Sequence, residues 1–457
     1  PWLGYLPFRG PRRLAVDRGA ASREDLRVTE PQNIEVHPWR QALYEELHSR
    51  PSPWVVTPCT ISHIAMQRTD EERSRELPHL AELCAEYGVE PPNENASCFY
   101  KTLGEFEIRW ERHTEFSTYT FIRNIEGNPL REPEALSPIP EAWLTGMPGR
   151  ATAALHLAFD ASEGPPDPAE LDRYFDSQAL RGSVVRRGTA YLYSSFRLHS
   201  DGFARIALQA RDLSSLQAGR LVQRVLEIET YRVMALLALP VAREVTPELG
   251  GMERELARIN EALTEAEERT NQQALLDQLS NLAARVERMR SDTTYRFAAT
   301  NAYFDLVRER NRELTEEKIP GLQPIHVFIK RRLAPGIRTC NAVRDRLEDL
   351  SRRIGQTGSL LRARVELSIQ DQNRELLASM NRRSETQLRL QQAVEGLSVV
   401  AITYYLMGLL GYLWEGFVWA GWPWSKKLSF AVAVPVIMLL AWRIIHGVRS
   451  RVHGQGR

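Results

Sequence analysis

The chain has 457 residues, more than one hydrophobic core accommodates, so two or three folding units are expected. Its 59 Lys and Arg balance 58 Asp and Glu, leaving a net charge of +1, so no global field recruits nucleic acid or an acidic substrate. A charged fraction of 26% and a mean hydropathy of −0.37 describe a mostly soluble protein with room for a small membrane part.

Four cysteines, Cys59, Cys84, Cys98 and Cys340, show neither CxxC spacing nor adjacent histidines. They read as packed, reduced thiols of a cytosolic compartment rather than a disulfide frame or a zinc site. No P-loop and no GxGxxG occurs, so no cofactor is expected. No set of nucleophile, base and metal ligands stands out either, and the chain reads as a non-enzyme.

Residues 1–33 are polar and proline-rich and read as a mobile N-terminal arm. The first twenty are too polar for a signal peptide. An α+β cytoplasmic domain is expected over residues 34–212. It opens at His37-Pro-Trp-Arg40, where Leu43 and Leu47 lie one helical turn apart before Pro51 and Pro53 stop the helix. His37, Arg40, His48 and Arg50 are close in sequence, as in an anion or catalytic site. Helix capping and surface pairing account for the same residues, and the sequence assigns them no role.

Residues 55–66 are rich in β-branched side chains, and 71–87 carry apolar positions at helical spacing. Residues 100–110 and 115–123 read as a strand pair, with Phe106, Ile108 and Trp110 alternating against Glu105, Glu107 and Arg109. Further strands are expected at 151–159, 183–186, 189–198 and 203–209. The turn between the last two is His199-Ser-Asp-Gly202. The sheet is expected to be mainly antiparallel. Glu105, Glu107, Glu111 and Glu115 form either an acidic cluster or, as the alternation favours, a solvated face.

From residue 213 the period becomes 3.6, and residues 213–393 read as a long helical, coiled-coil-like stalk. One seam runs through Met252, Leu256, Ile259, Leu263 and Ala266, then Leu276, Leu279, Leu282, Val286 and Met289. Ser291 and Asp292 offer a cap for a fresh helix. Residues 318–324 break the pattern, and Pro335-Gly336 break it again. A second seam follows through Cys340, Val343, Leu347, Leu350, Ile354, Thr357, Leu361, Val365 and Ile369. No proline lies between Pro335 and Pro423, so one helix can run from about residue 337 to residue 396, on the order of 85 Å. Homo-oligomerisation is expected through these seams and through Gly408 and Gly411 of the first apolar span described below, although an intramolecular antiparallel bundle of the same helices would bury the seams equally well.

Residues 394–457 read as a two-helix transmembrane hairpin with a basic C-terminal tail. Residues 396–414 hold no charged side chain and span about 28 Å as a helix, close to the hydrocarbon thickness of a bilayer. Glu395 and Glu415 fence this first span. The second, 428–445, is interrupted only by Arg443, which can snorkel. Trp414, Trp419, Trp422, Trp424 and Trp442 gather at the span ends, where interfacial rings prefer to sit. The lipid bilayer is thus the expected partner, in the inner membrane, with both termini cytoplasmic. Arg382, Arg383, Arg389, Arg443, Arg449 and Arg451 agree with that orientation; Lys426 and Lys427 in the connecting loop oppose it. In the first span Leu397, Ala401, Tyr404, Gly408 and Gly411 share one stripe that ends at Glu415, and Ser398, Tyr405 and Tyr412 a neighbouring one. Either stripe suits close helix packing or, in an oligomer, a pore.

Three segments carry a family resemblance: HPWRQALYEELHSRP at 37–51, the stretch from Thr339-Cys-Asn through RDRLEDLSRRI, and QLRLQQAVEGLSVVAITYYLMGLLGY at 387–412. They resemble a bacterial membrane-anchored family known only as domain of unknown function 3422, over nearly the whole chain from about residue 35. The resemblance implies a membrane anchor and brings no activity, cofactor or catalytic residue. The layout of soluble domain, stalk and two C-terminal spans is also similar to that of the CorA-type magnesium channels. Their Gly-Met-Asn signature is absent; the corresponding place reads Gly411-Tyr-Leu-Trp-Glu-Gly416. The expected function is a non-enzymatic membrane-anchored scaffold or sensor. The alternative is an oligomeric CorA-like cation channel or transporter.

Overall fold

A computed structural model describes residues 35, 37–46, 52–132, 134–265, 269–419 and 426–453. The expected arm, His48, Arg50, Ala266 and the loop tryptophans Trp422 and Trp424 lie outside them. Two compact units are formed, one from residues up to 236 together with 301–335, the other from 237–300 and 336 onward.

The first unit begins with α1 (Arg40–Glu46), β1 (Cys59–Gln67) and α2 (Asp70–Glu86). A reciprocal cap starts α2: the Glu72 amide donates to Thr69 Oγ1, and the Thr69 amide donates to the Glu72 carboxylate. Next come β2 (Cys98–Leu103), β3 (Phe106–Arg112), β4 (Phe116–Asn124), α3 (Glu141–Thr145), β5 (Arg150–Asp160), α4 (Pro168–Tyr174), β6 (Arg181–Val185), β7 (Ala190–Leu198), β8 (Ala204–Ala210) and α5 (Ser215–Leu236). The expected single strand over 100–110 is in fact the hairpin β2–β3. It turns at Gly104, whose φ of +58° is the left-handed conformation that costs glycine least.

After α6 (Ala238–Glu265) and α7 (Arg269–Glu313), the short strand β9 (Glu317–Lys318) completes a nine-stranded sheet in the order β2-β3-β4-β1-β5-β8-β7-β6-β9. The sheet is mixed: β5 and β8 pair in parallel, and the other pairs are antiparallel. Two runs of strand, helix and three-stranded meander thus meet at the β1–β5 pair. Cross-strand partners share a face and successive residues alternate. One face of β1, β3 and β4 carries Ile64, Met66, Phe106, Ile108, Trp110, Tyr119 and Phe121, which pack with Leu80 and Leu83 of α2 and Trp143 of α3 into one core. Glu76 is buried against that same layer. Arg68 Nε donates to its carboxylate at 2.9 Å and Arg112 Nε at 3.0 Å, so the charge is compensated where it stands.

The second unit is helical. Met252, Leu256, Ile259 and Leu263 of α6, Leu275, Leu279, Leu282, Val286 and Met289 of α7, and Cys340, Val343, Leu347, Leu350, Ile354 and Leu361 of α8 (Ile325–Trp419) form one core. Both predicted seams are therefore consumed within a single chain, up to Leu361. Arg346 pairs with Glu253 at 2.7 Å, and Thr357 Oγ1 meets Asn260 at 2.9 Å along the same contact. Two expected helix breaks do not occur. Residues 291–292 lie inside α7, and Pro335-Gly336 lie inside α8, because the apolar periodicity on either side outweighs the local cap and proline signals. Beyond Leu361 the side chains of α8 are largely exposed, and α9 (Lys426–His453) follows.

One glycine marks a contact with no slack. Gly219 of α5 faces Pro53, and a Cβ there would stand 1.7 Å from the Pro53 carbonyl oxygen. Gly219→Ala is expected to destabilise by about 2–3 kcal/mol, since backbone must move. Gly251→Ala, whose Cβ would meet nothing within 4 Å in the interior of α6, is expected to stabilise by about 0.5–1 kcal/mol. Urea unfolding of both variants checks the pair.

Candidate functional site

The opposite face of β3, β4 and β1 breaks the usual pattern for a sheet covered by a helix. Register places Arg109 and Glu111 of β3 beside Thr120 and Thr118 of β4, and Thr120 beside His63 of β1. These polar side chains line a cavity of about 210 Å³ together with Gln223, Glu227, Thr230 and Tyr231 of α5 and Arg310 of α7. Buried polar groups are unfavourable without partners, and most of these side chains are paired.

His63 is held on both ring nitrogens: Nδ1 lies 2.8 Å from Thr120 Oγ1 and Nε2 lies 3.0 Å from Thr230 Oγ1. Burial, reinforced by nearby His113 and Arg109, pushes its pKa down to about 3. The imidazole is therefore neutral, and it positions strand β4 against α5 rather than acting as a base. Arg109, itself buried, donates to Glu111 at 2.8 Å. Arg310 donates to Glu227 and, at 2.8 Å, to Glu313, and these carboxylates hold its guanidinium above its ordinary pKa range against the effect of burial. At one side of the cavity the His113 ring stacks on Phe116 at 4.5 Å, Phe116 meets Tyr303 at 6.2 Å, and Tyr303 stacks on Tyr231 at 5.7 Å. Thr118 Oγ1 is buried in the lining with no hydrogen-bond partner among the described residues. The site thus offers two anchored guanidiniums, two carboxylates, an aromatic wall and an unmet hydroxyl: equipment to hold a small polar molecule.

The acidic run read as a solvated face divides instead. Glu105 is exposed at the β2–β3 turn, but Glu107 accepts from the Tyr100 hydroxyl, Glu111 accepts from Arg109, and Glu115 is buried. Because β3 begins only at Phe106, the expected alternation does not extend to Glu105, and Glu115 lies in the tight connection into β4. His37 and Arg40 are exposed near α1, where the His37 ring contacts Trp39 and the Arg40 guanidinium contacts the Tyr44 ring. The other two residues of that group, His48 and Arg50, lie outside the described residues.

The stripe residues of the first apolar span all fall on α8. Ala401, Tyr404, Tyr405, Gly408, Tyr412 and Glu415 are exposed, while Ser398 and Gly411 are half-buried. Ser398 Oγ donates to the Val394 carbonyl at 2.8 Å, which satisfies the hydroxyl within the helix. None of them is among the residues that line the polar cavity. Sequence reading missed His63, Thr118, Thr120, Thr230 and Arg310. The one available signal was polar residues at alternate positions of otherwise β-branched strands.

Residues 35–452 match the model of a family described as "Protein of unknown function (DUF3422)". The chain belongs to that family. No curated protein and no solved structure matches it. For this DUF3422 chain none of these comparisons supports the expected resemblance to the CorA-type channels.

The His63 bridge carries a pH signature. Its pKa is near 6.5 when unfolded and about 3 when folded, so between those values the unfolded chain binds the extra proton. Stability is thus fully present above about pH 6.5 and is lost as pH falls toward 3. His63→Gln is expected to flatten the unfolding free energy against pH by up to one proton between pH 6.5 and 4, read from urea unfolding at a series of pH values.

Proposed function

We propose that this chain is a non-enzymatic sensor or scaffold tethered to the bacterial inner membrane, whose cytoplasmic α+β unit takes a small polar ligand in the cleft beneath α5. The observation that carries the tether is the exposure of an apolar segment. Within Ile325–Gly416 the most apolar window has a mean hydropathy of 1.6, yet only 11% of it is buried. A core helix of a soluble protein buries most of such a window, and a bilayer is the solvent that suits one left uncovered. In this reading the shorter apolar stretch Ala431–Ile444 of α9 forms the second arm of a transmembrane hairpin. The exposed apolar side chains Leu367, Leu376, Met380 and Leu390 of α8 then pack against further copies of the chain. Doubly bonded, neutral His63 favours binding over catalysis in the cleft.

Reporter fusions before residue 35 and after Arg457 are expected to score as cytoplasmic; a periplasmic signal from either end overturns the topology. The channel alternative places a ring of Glu415 carboxylates at the end of the first span, where acidic rings attract cations. In the tethered-sensor reading Glu415→Gln leaves insertion and proteoliposome cation flux unchanged. A wild-type flux abolished by Glu415→Gln would instead establish the channel.

A further inference from the structure

The sheet face opposite the polar cleft carries a second polar cluster, at the β5–β8 pair. His156 sits within β5, Asp201 in the turn between β7 and β8, and Glu134 in the segment between β4 and α3. One ligand atom from each, an imidazole nitrogen and two carboxylate oxygens, lies within 4.8 Å of the other two. Ligands about 2.0–2.2 Å from a single ion stand roughly 3–4.4 Å apart, so small side-chain movements close all three on one ion. We propose that Glu134, His156 and Asp201 bind one divalent first-row transition-metal ion.

The imidazole is prepared for that role. Its Nδ1 lies 2.8 Å from the hydroxyl of Ser62, the residue directly opposite on β1, and Ser62 is fully buried. When Nδ1–H donates to Ser62 Oγ, the lone pair is left on Nε2; metal-ligating histidines are commonly oriented by such a partner. The ring stacks on Phe203 at 4.1 Å and 13°, which fixes its plane.

The charges around it call for a cation. Asp176 and Asp201 share a single guanidinium, Arg205, which donates to the Tyr174 carbonyl at 2.7 Å, to Asp201 at 3.1 Å and to Asp176 at 3.4 Å. Glu134 receives no hydrogen bond or ion pair on its carboxylate among the described residues. Asp201 accepts from the Phe203 amide at 2.8 Å and from Arg205, which leaves further lone pairs on both oxygens. A second histidine points the same way. His199 is buried, its Nδ1 lies 2.6 Å from Asp176, and its Nε2 is buried with no partner among the described residues. One nitrogen and two oxygens form a borderline donor set that suits Zn²⁺ or Mn²⁺ better than Ca²⁺ or Mg²⁺, which favour oxygen-only shells.

The test is calorimetric titration of EDTA-stripped full-length protein in detergent with Zn²⁺ and Mn²⁺, and with Mg²⁺ as control. One equivalent of Zn²⁺ or Mn²⁺ is expected to bind, with affinity at least tenfold weaker in Glu134→Gln and in Asp201→Asn, and about tenfold weaker in Ser62→Ala through loss of ring orientation. Circular dichroism confirms folding of each variant. Should Asp201→Asn fail to fold, the partly exposed Glu134→Gln decides. No uptake by the wild type, or wild-type uptake by Glu134→Gln, overturns the proposal.

Discussion

Adjacent residues of a β-strand face opposite ways, and in β1 two consecutive buried polar side chains depend on that rule. Ser62 meets His156 on one face of the sheet, and His63 meets Thr120 and, on α5, Thr230, on the other. β1 lies between β4 and β5 and is the strand on which the two meanders join. A slip of one residue in its register would exchange the two faces, placing Ile64 among the polar side chains of the cleft and a histidine in the apolar core. The cleft and the His156 cluster are therefore two products of one register.

What fixes that register is mostly apolar. Trp110, Tyr119 and Phe121 pack with Trp143 and the α2 leucines on one side, and such large buried rings tolerate no alternative alignment. The exception is Glu76. A carboxylate buried between Arg68 and Arg112 ties α2 to the ends of β1 and β3, and Arg68 reaches further to Ser117 and the His113 carbonyl. The pairing adds little net stability over an apolar equivalent, yet it penalises any arrangement that separates the three charges.

Local periodicity made much of the fold legible. The alternation at Phe106, Ile108 and Trp110 located β3, and the spacing from Met252 to Leu263 and from Cys340 to Leu361 located the bundle helices. Partner choice was not legible. The same heptad pattern suits association between chains and packing within one, and only the return of α8 alongside α6 decides it. Likewise the parallel β5–β8 pair and the two-residue strand β9 depend on contacts far apart in sequence. The site residues escaped for a related reason: Ser62 and His156 lie 94 positions apart, and His63 and Thr230 lie 167 apart. Lone polar residues in strands carry no motif until the sheet assembles.

The interleaving of the two units sets an order on biosynthesis. The sheet is closed at one edge by β9, yet residues 237–300 belong to the other unit and leave the ribosome first. At roughly 5–20 residues per second, those sixty or so residues take about 3–12 s to emerge. During that interval β6 stands as an open edge, with unpaired backbone amides and carbonyls available to any passing strand. Its shortness, five residues with Gly182 near the start and Arg181 at its head, limits what can pair there while the nascent chain waits for its last strand.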